Sequence, residues 1–339
     1  MPDSGATLAT MPSTSIAEQA TPLLVRVVRD GVVESVHTGT VVVCDAGGSV
    51  LGSLGDPDLA TYVRSAAKPF QALATLELLA EAGVALDEVG LAIATASHDG
   101  SDDHQIEAAR LLAEAGLDES ALRCPPAWAA DLAVMRSQPH PQRLAHNCSG
   151  KHASFLLAHT ATGGDPATYL DTGTRLQQRI RSAVERVCGA TPRGPGVDGC
   201  GAPAWLLPLR ALATGFARLA AGVDEDLAAV RAAMAARPDL IGGSGAFDTE
   251  LMLADGSVVA KRGAEAVIAA ATTRRGEAVG VAVKVADGGK RADGPVVAAV
   301  LESLGCAVPP GLRRPVVLGG GQPHGALEVD AAVSSILRR

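Results

Sequence analysis

The sequence predicts an α+β fold, α/β in the broad sense. One antiparallel sheet is built from N- and C-terminal segments, with flanking helices and a helical portion inserted between them. Two observations carry this. Strand patterns occupy both ends of the chain, and helical periodicity fills the middle. No repeat of fixed period occurs, which sets aside solenoids and propellers.

The elements follow in order. LLVRVV (23–28), a turn at Asp30-Gly31, VVESVHTG, GTVVVCD, a turn at Ala46-Gly47-Gly48 and SVLGSLG form an antiparallel meander. AAKPFQALATLELLAEAG (66–83) has apolar residues at helical spacing and stops at Gly83. Pro69 is tolerated only in a first turn, so this helix starts near Ser65 or Ala66. The apolar run VGLAIATAS (89–97) follows, with Ser97 at a strand-to-loop end. Helices are expected at 103–115, 150–160, 173–188, 203–221 and 224–236. FDTELMLADGSVVAKRG (247–263) reads as a hairpin turning at Asp255-Gly256, and a short helix is expected after Lys261. EAVGVAVKVADGG adds a strand, 291–304 a helix, and RPVVLGG a late strand. Residues 1–20 read as a poorly ordered tail, and 21–339 as a single domain whose helical portion spans about 100–240.

The chain of 339 residues is 47% hydrophobic and carries a formal net charge of −8, with 2% aromatic residues. Acidity argues against general nucleic-acid binding and a polybasic membrane tether. Few aromatics leave little on which bases could stack. The N-terminus lacks a basic region followed by an apolar one, and no apolar stretch is long enough to span a bilayer. The six cysteines contain no CxxC pair. A cytoplasmic protein without structural disulfides is expected. Of 29 Lys+Arg residues only five are lysines: Lys68, Lys151, Lys261, Lys284 and Lys290. Lysine can lose its proton when buried and arginine cannot, so each lysine is a candidate for chemistry.

Four constellations stand out. Ser65 and Lys68 form a Ser-x-x-Lys at a helix start, where residues three apart share a face and a lysine can serve as base for a serine nucleophile. The plain alternative is a capping serine beside an unrelated lysine. Ser97, in ASHDG, is a second serine, ordinarily a turn residue. HNCSGKH (146–152) is dense in metal-binding groups. With Cys200 of GVDGCGAP it suggests zinc on Cys148, His152 and Cys200, because positions 148 and 152 are one helical turn apart. Buried free cysteine is the alternative. Lys261, in KRGAE, sits at a predicted strand end, where lysines are usually surface residues.

RSAAKPFQ, ASHDG followed by His104, HNCSGKH, GVDGCGAP, GGSGAFDT and KRGAE occur in this order. Together they resemble the signature of the rhizobial-type (class 3) L-asparaginase family, from about residue 22 to about 320. That resemblance implies a fold similar to serine β-lactamases and glutaminases, and hydrolysis of L-asparagine to L-aspartate and ammonia. It implies two Ser–Lys pairs, Ser65 with Lys68 and Ser97 with Lys261. It also implies zinc on Cys148, Lys151 and Cys200, completed by water, with Asp198 hydrogen-bonded beside the ligands; His152 is kept as a nearby group. Here it replaces His152 by Lys151 as the nitrogen ligand. Lysine ligates only as the neutral amine, so the metal must depress its pKa. Arg64, His98 and Asp198 are candidates for gripping the amino-acid head group. A homodimer is implied by analogy.

Three positions depart from the family pattern: Ser154 and Ala266, where glycine is common, and Ala246, where a basic residue is common and a place near the substrate pocket is expected. The alternatives are another acyl-serine hydrolase, glutaminase or β-lactamase-like, and a non-catalytic zinc-binding protein. The second gives Ser97 and Lys261 no task.

Overall fold

The computed structural model describes residues 21–274 and 276–338, so the tail expected at 1–20 lies outside the described residues. Eleven strands are present among them: β1 (Leu23–Arg29), β2 (Val32–Asp45), β3 (Val50–Leu54), β4 (Ala60–Tyr62), β5 (Arg193–Val197), β6 (Pro203–Pro208), β7 (Val258–Arg262), β8 (Val267–Arg274), β9 (Glu277–Val285), β10 (Val316–Gly319) and β11 (Gln322–Val329).

The main sheet has the order β10-β11-β1-β2-β9-β8-β7, with β3 also paired to β2. Its neighbours are antiparallel throughout. The N-terminal strands β1 and β2 are therefore flanked by C-terminal strands, as the two-ended sequence pattern predicts. β2 is long enough to pair with β1 through its first half and with β9 through its second, Gly39 to Asp45. The small sheet β4-β6-β5 lies apart.

Alternation is lost in the centre of the main sheet. Val281, Ala282 and Val283 on β9 are all buried, as are Ile268 to Ala271 on β8. Such runs require cover on both faces. Helices Leu209–Ala221 and Lys290–Ser303 both pack on these two strands. The first packs tightly: a Cβ at Gly280 would lie 2.1 Å from the Ala213 carbonyl oxygen. A core poor in aromatics and rich in alanine permits this close approach.

Four expectations need correction. The run at 89–97 is the helix Glu88–Thr95, not a strand, begun by the Asp87 side chain accepting from Gly90 N. A short buried apolar run carries no period that separates the two. The expected helix at 203–221 divides into β6 and the helix Leu209–Ala221, with Pro208 between. The expected hairpin at 247–263 is the helix Phe247–Ala254 followed by β7. The short helix expected after Lys261 is absent; a turn leads into the buried β8. The remaining expected helices appear at Asp102–Glu114, Ser149–Ala161, Arg175–Cys188, Glu225–Ala236 and Lys290–Ser303. No helix among the described residues is long and apolar enough to cross a membrane.

Candidate active site

A cavity of about 350 Å³ opens among the turn before helix Lys68–Glu81, the loop after Glu88–Thr95, the end of β7, the loops at 146–148 and 198–200, and the start of helix Lys290–Ser303. Ser65, Ser97, Cys148, Asp198 and Cys200 all line it, so residues far apart in sequence converge. The size suits a small-molecule ligand.

Ser65 lies in the 3-10 turn Arg64–Ala67, directly ahead of the helix that begins at Lys68. Arg64 has a φ of +48°, in the left-handed region that costs a non-glycine residue about 1–2 kcal/mol. Asp198 holds this conformation. Its Oδ1 accepts from Arg64 Nε at 3.2 Å and Nη2 at 2.8 Å. Burial alone would raise the Asp198 pKa, but the hydrogen bond and charge of Arg64, with Lys151 and the Gly199 N–H, together outweigh it and the net shift is downward. Arg64 and Asp198 thus neutralise one another.

Lys68 is 1% exposed. Its Nζ donates to the Ala96 carbonyl, to the Asn147 carbonyl at 3.5 Å and to Cys148 Sγ at 3.3 Å. No hydrogen bond joins it to Ser65, although both residues line a common cleft. Catalytic hydrogen bonds are often completed only when substrate is bound. Burial, aided by the Lys151 charge, lowers the Lys68 pKa, while the nearby cysteines oppose that shift.

Ser97 Oγ is buried and has no hydrogen-bond partner. Leaving a buried hydroxyl unpaired costs about 1–3 kcal/mol, which a bound ligand can recover. Lys261, at the end of β7, is 0% exposed. Its Nζ donates to the Arg262 carbonyl at 3.0 Å and lies 3.6 Å from Asp248 Oδ2. Burial lowers its pKa to about 7, although Asp248 pulls the other way. Gly263 brings this strand end against the turn that carries Ser65: a Cβ there would sit 3.3 Å from Ala66 N and from the Val63 carbonyl oxygen.

A sulfur–amine cluster forms the next part of the wall. Lys151 Nζ is 3.1 Å from Cys200 Sγ. Cys148 is hydrogen-bonded to Cys200, and this bond, with Lys68 and Lys151, holds its thiol well below the usual range against the opposing effect of burial. Lys151 is pushed the other way: the two cysteines raise its pKa and outweigh burial. No three His, Cys, Asp or Glu side chains converge suitably for a metal among the described residues. The set Cys148, His152 and Cys200 expected from helical spacing is therefore not assembled. His152 Nδ1 is 2.6 Å from Tyr169 Oη, and its buried Nε2 has no hydrogen-bond partner. Cys200 touches the Lys151 amine and Cys148 touches the Lys68 amine, and thiolate and neutral nitrogen donors are of the kind that zinc takes.

His98 is buried and turned inward. Its Nδ1 accepts from Gly100 N at 3.1 Å and its Nε2 lies 3.0 Å from Ser149 Oγ. Burial, together with His104, lowers its pKa well below the ordinary value. The ring stacks on His104, with centroids 4.7 Å apart. Ala246 begins the helix Phe247–Ala254 and is absent from the cavity lining. Ser154 Oγ bonds back to the Lys151 carbonyl, and Ala266 has a φ of +50°, the conformation that glycine would relieve.

Sequence reasoning missed three residues here: Asp248, Arg262 and Asp293. Asp248 is buried, and Arg262 donates to it from Nε at 3.0 Å and from its backbone N at 3.2 Å. Asp248 sits beside Thr249 and Glu250 in FDTELML, so nothing in the sequence set it apart. Asp293 is hidden because an acid in the first turn of a helix is ordinary.

No curated protein matches the sequence. Solved structures described as crystal structure analyses of Mglu resemble the chain loosely. One has 15% identity and a TM-score of 0.39, covering 74% of this chain and 61% of that one. The native form has 15% identity and a TM-score of 0.40, covering 74% and 59%. The chain thus spans about three-fifths of those proteins, a likeness that carries no argument about activity. Residues 25–328 match the family described as L-asparaginase II, and the chain belongs to that family.

Proposed function

We propose that the protein hydrolyses L-asparagine to L-aspartate and ammonia through an acyl-serine intermediate. One observation carries this reading: Ser65 and Ser97 wall the same cavity, each on a segment that also carries or touches a buried lysine environment. Membership of the L-asparaginase II family supports the amidohydrolase reaction.

In this mechanism Ser65 Oγ attacks the carbonyl carbon of the substrate side-chain amide. Lys68, in its neutral form, takes the serine proton. The oxyanion is held by backbone N–H groups. Collapse breaks the C–N bond, and Ser97 with Lys261 delivers the proton that ammonia carries away. Water then attacks the acyl-serine, releasing aspartate and restoring the Ser65 hydroxyl. Lys261 can exchange a proton near neutrality because its pKa is lowered to about 7, burial being the main cause.

Cys148, Lys151 and Cys200 would hold zinc, and His152 and Asp198 would lie around them. When bound, the ion would supply positive charge to two thiolates and position the substrate; the nucleophile remains the serine. A cytoplasmic homodimer is the accompanying expectation. Ammonia release assays with asparagine and glutamine, and with nitrocefin for β-lactam turnover, separate this reading from the related acyl-serine hydrolases. Asparagine should be turned over fastest. Zinc binding without any turnover would instead favour a binding protein.

A further inference from the structure

An amino-acid substrate brings a zwitterion into the cavity, and the wall must answer both charges. Five of the lining residues are Arg64, Asp198, Arg262, Lys290 and Asp293, which supply its Asp and Arg/Lys side chains. Arg64 and Asp198 are bonded to each other at 2.8 Å. His98, expected at the head group from the sequence, has both ring nitrogens occupied elsewhere. The Arg262 side chain is bonded to Asp248 through Nε alone, and neither Lys290 nor Asp293 is in an ion pair among the described residues, so these three side chains keep polar groups open to a ligand.

Asp293 is 3% exposed, yet among the described residues its carboxylate forms no ion pair and accepts one hydrogen bond, from Gly294 N at 2.6 Å. Burying an uncompensated carboxylate is expensive. Burial pushes its pKa up to about 6, against the opposing pull of the Gly294 N–H and of the Arg262 and Lys290 charges. The next residue packs closely on the helix Phe247–Ala254: a Cβ at Gly294 would meet the Phe247 ring at 2.7 Å. Arg262 is anchored through Nε on Asp248 Oδ1. Its terminal nitrogens donate to no described residue and remain available on the cavity wall. A guanidinium fixed in this way is suited to a carboxylate. Lys290, one helical turn before Asp293, is exposed at the rim.

We propose that Asp293 and Arg262 form the head-group subsite, Asp293 receiving the α-ammonium and Arg262 the α-carboxylate of the substrate. This assignment rests on the asparagine reading above and replaces Arg64, His98 and Asp198 in that task. It also restricts substrates to free α-amino acids: a peptide-linked asparagine has lost both charges.

The test uses two substrates, each missing one charge. Succinamic acid lacks the α-amino group, and 3-aminopropanamide lacks the α-carboxylate. Ammonia release gives kcat/KM for each and for L-asparagine, with wild type, Asp293→Asn and Arg262→Gln. Asp293→Asn should lower kcat/KM for asparagine on the order of 10- to 100-fold and change succinamic acid much less. Arg262→Gln should spare 3-aminopropanamide in the same relative way. Each variant is an independent arm, so failure of one to fold leaves the other decisive. An equal loss on all three substrates would mean a structural role and overturn the subsite. Calorimetric titration with L-asparagine and L-aspartate separates the two claims. Binding weakened by either substitution without any wild-type turnover keeps the subsite and overturns the hydrolysis. Turnover with unchanged substrate discrimination does the reverse, and absence of both binding and turnover overturns both.

Discussion

Asp248 Oδ2 lies 3.6 Å from Lys261 Nζ, and both side chains are almost fully shielded from solvent. The carboxylate raises the lysine pKa while burial lowers it, and burial prevails, leaving a value of about 7. Below that pH Lys261 is an ammonium; above it, a free amine. The relay delivers a proton and so needs the ammonium, and kcat/KM should fall as pH rises through about 7. Asp248→Asn removes the raising influence, so this limb should move to lower pH, by about 1 unit or more. A pH–rate profile measures it. A limb that stays in place or moves upward would show that Lys261 does not set it.

The sulfur–amine cluster makes a separate prediction. Cys148→Ala should remove bound zinc, read as metal content per chain, and mainly raise KM. Loss of kcat at unchanged KM would contradict a positioning role. Lys151→Ala should lose zinc where His152→Ala retains it. The reverse result would restore the histidine as ligand.

Two backbone positions test the packing account. Gly280→Ala would place a methyl group 2.1 Å from the Ala213 carbonyl oxygen and 2.7 Å from Ala217 N, both main-chain atoms. Overpacking of this kind costs about 1–3 kcal/mol, so the melting temperature should fall. Ala266→Gly should act oppositely. Relief of the left-handed conformation returns about 1–2 kcal/mol, while the added freedom of the unfolded chain takes back about 0.4–1 kcal/mol. The melting temperature should rise slightly. Unchanged or lower stability would argue against strain at Ala266.

Much of this architecture was legible in the sequence, for identifiable reasons. Alternation in LLVRVV and turn signals such as Asp30-Gly31 marked the meander, and helical spacing marked 173–188 and 224–236 closely. The failures fell where periodicity vanishes. VGLAIATAS is almost wholly buried, and β8 is apolar and buried from Val267 to Ala271, so neither has a face to reveal. Ser65, Ser97, Cys148 and Cys200 stood out by residue type and are brought together at one cavity. Asp248 and Asp293 did not, because their importance comes from burial, which a lone acid in a sequence does not announce. Lys284 remains without a chemical task; its amine donates to the Glu265 carbonyl, beside the strained turn before β8.

The central claim is that Ser65 is the nucleophile of an asparagine hydrolase. Purified protein incubated with L-asparagine should release ammonia and L-aspartate in equal amounts, and Ser65→Ala should release neither above the uncatalysed rate. Sustained turnover by the Ser65→Ala variant, or no turnover by the wild-type chain, would contradict the account.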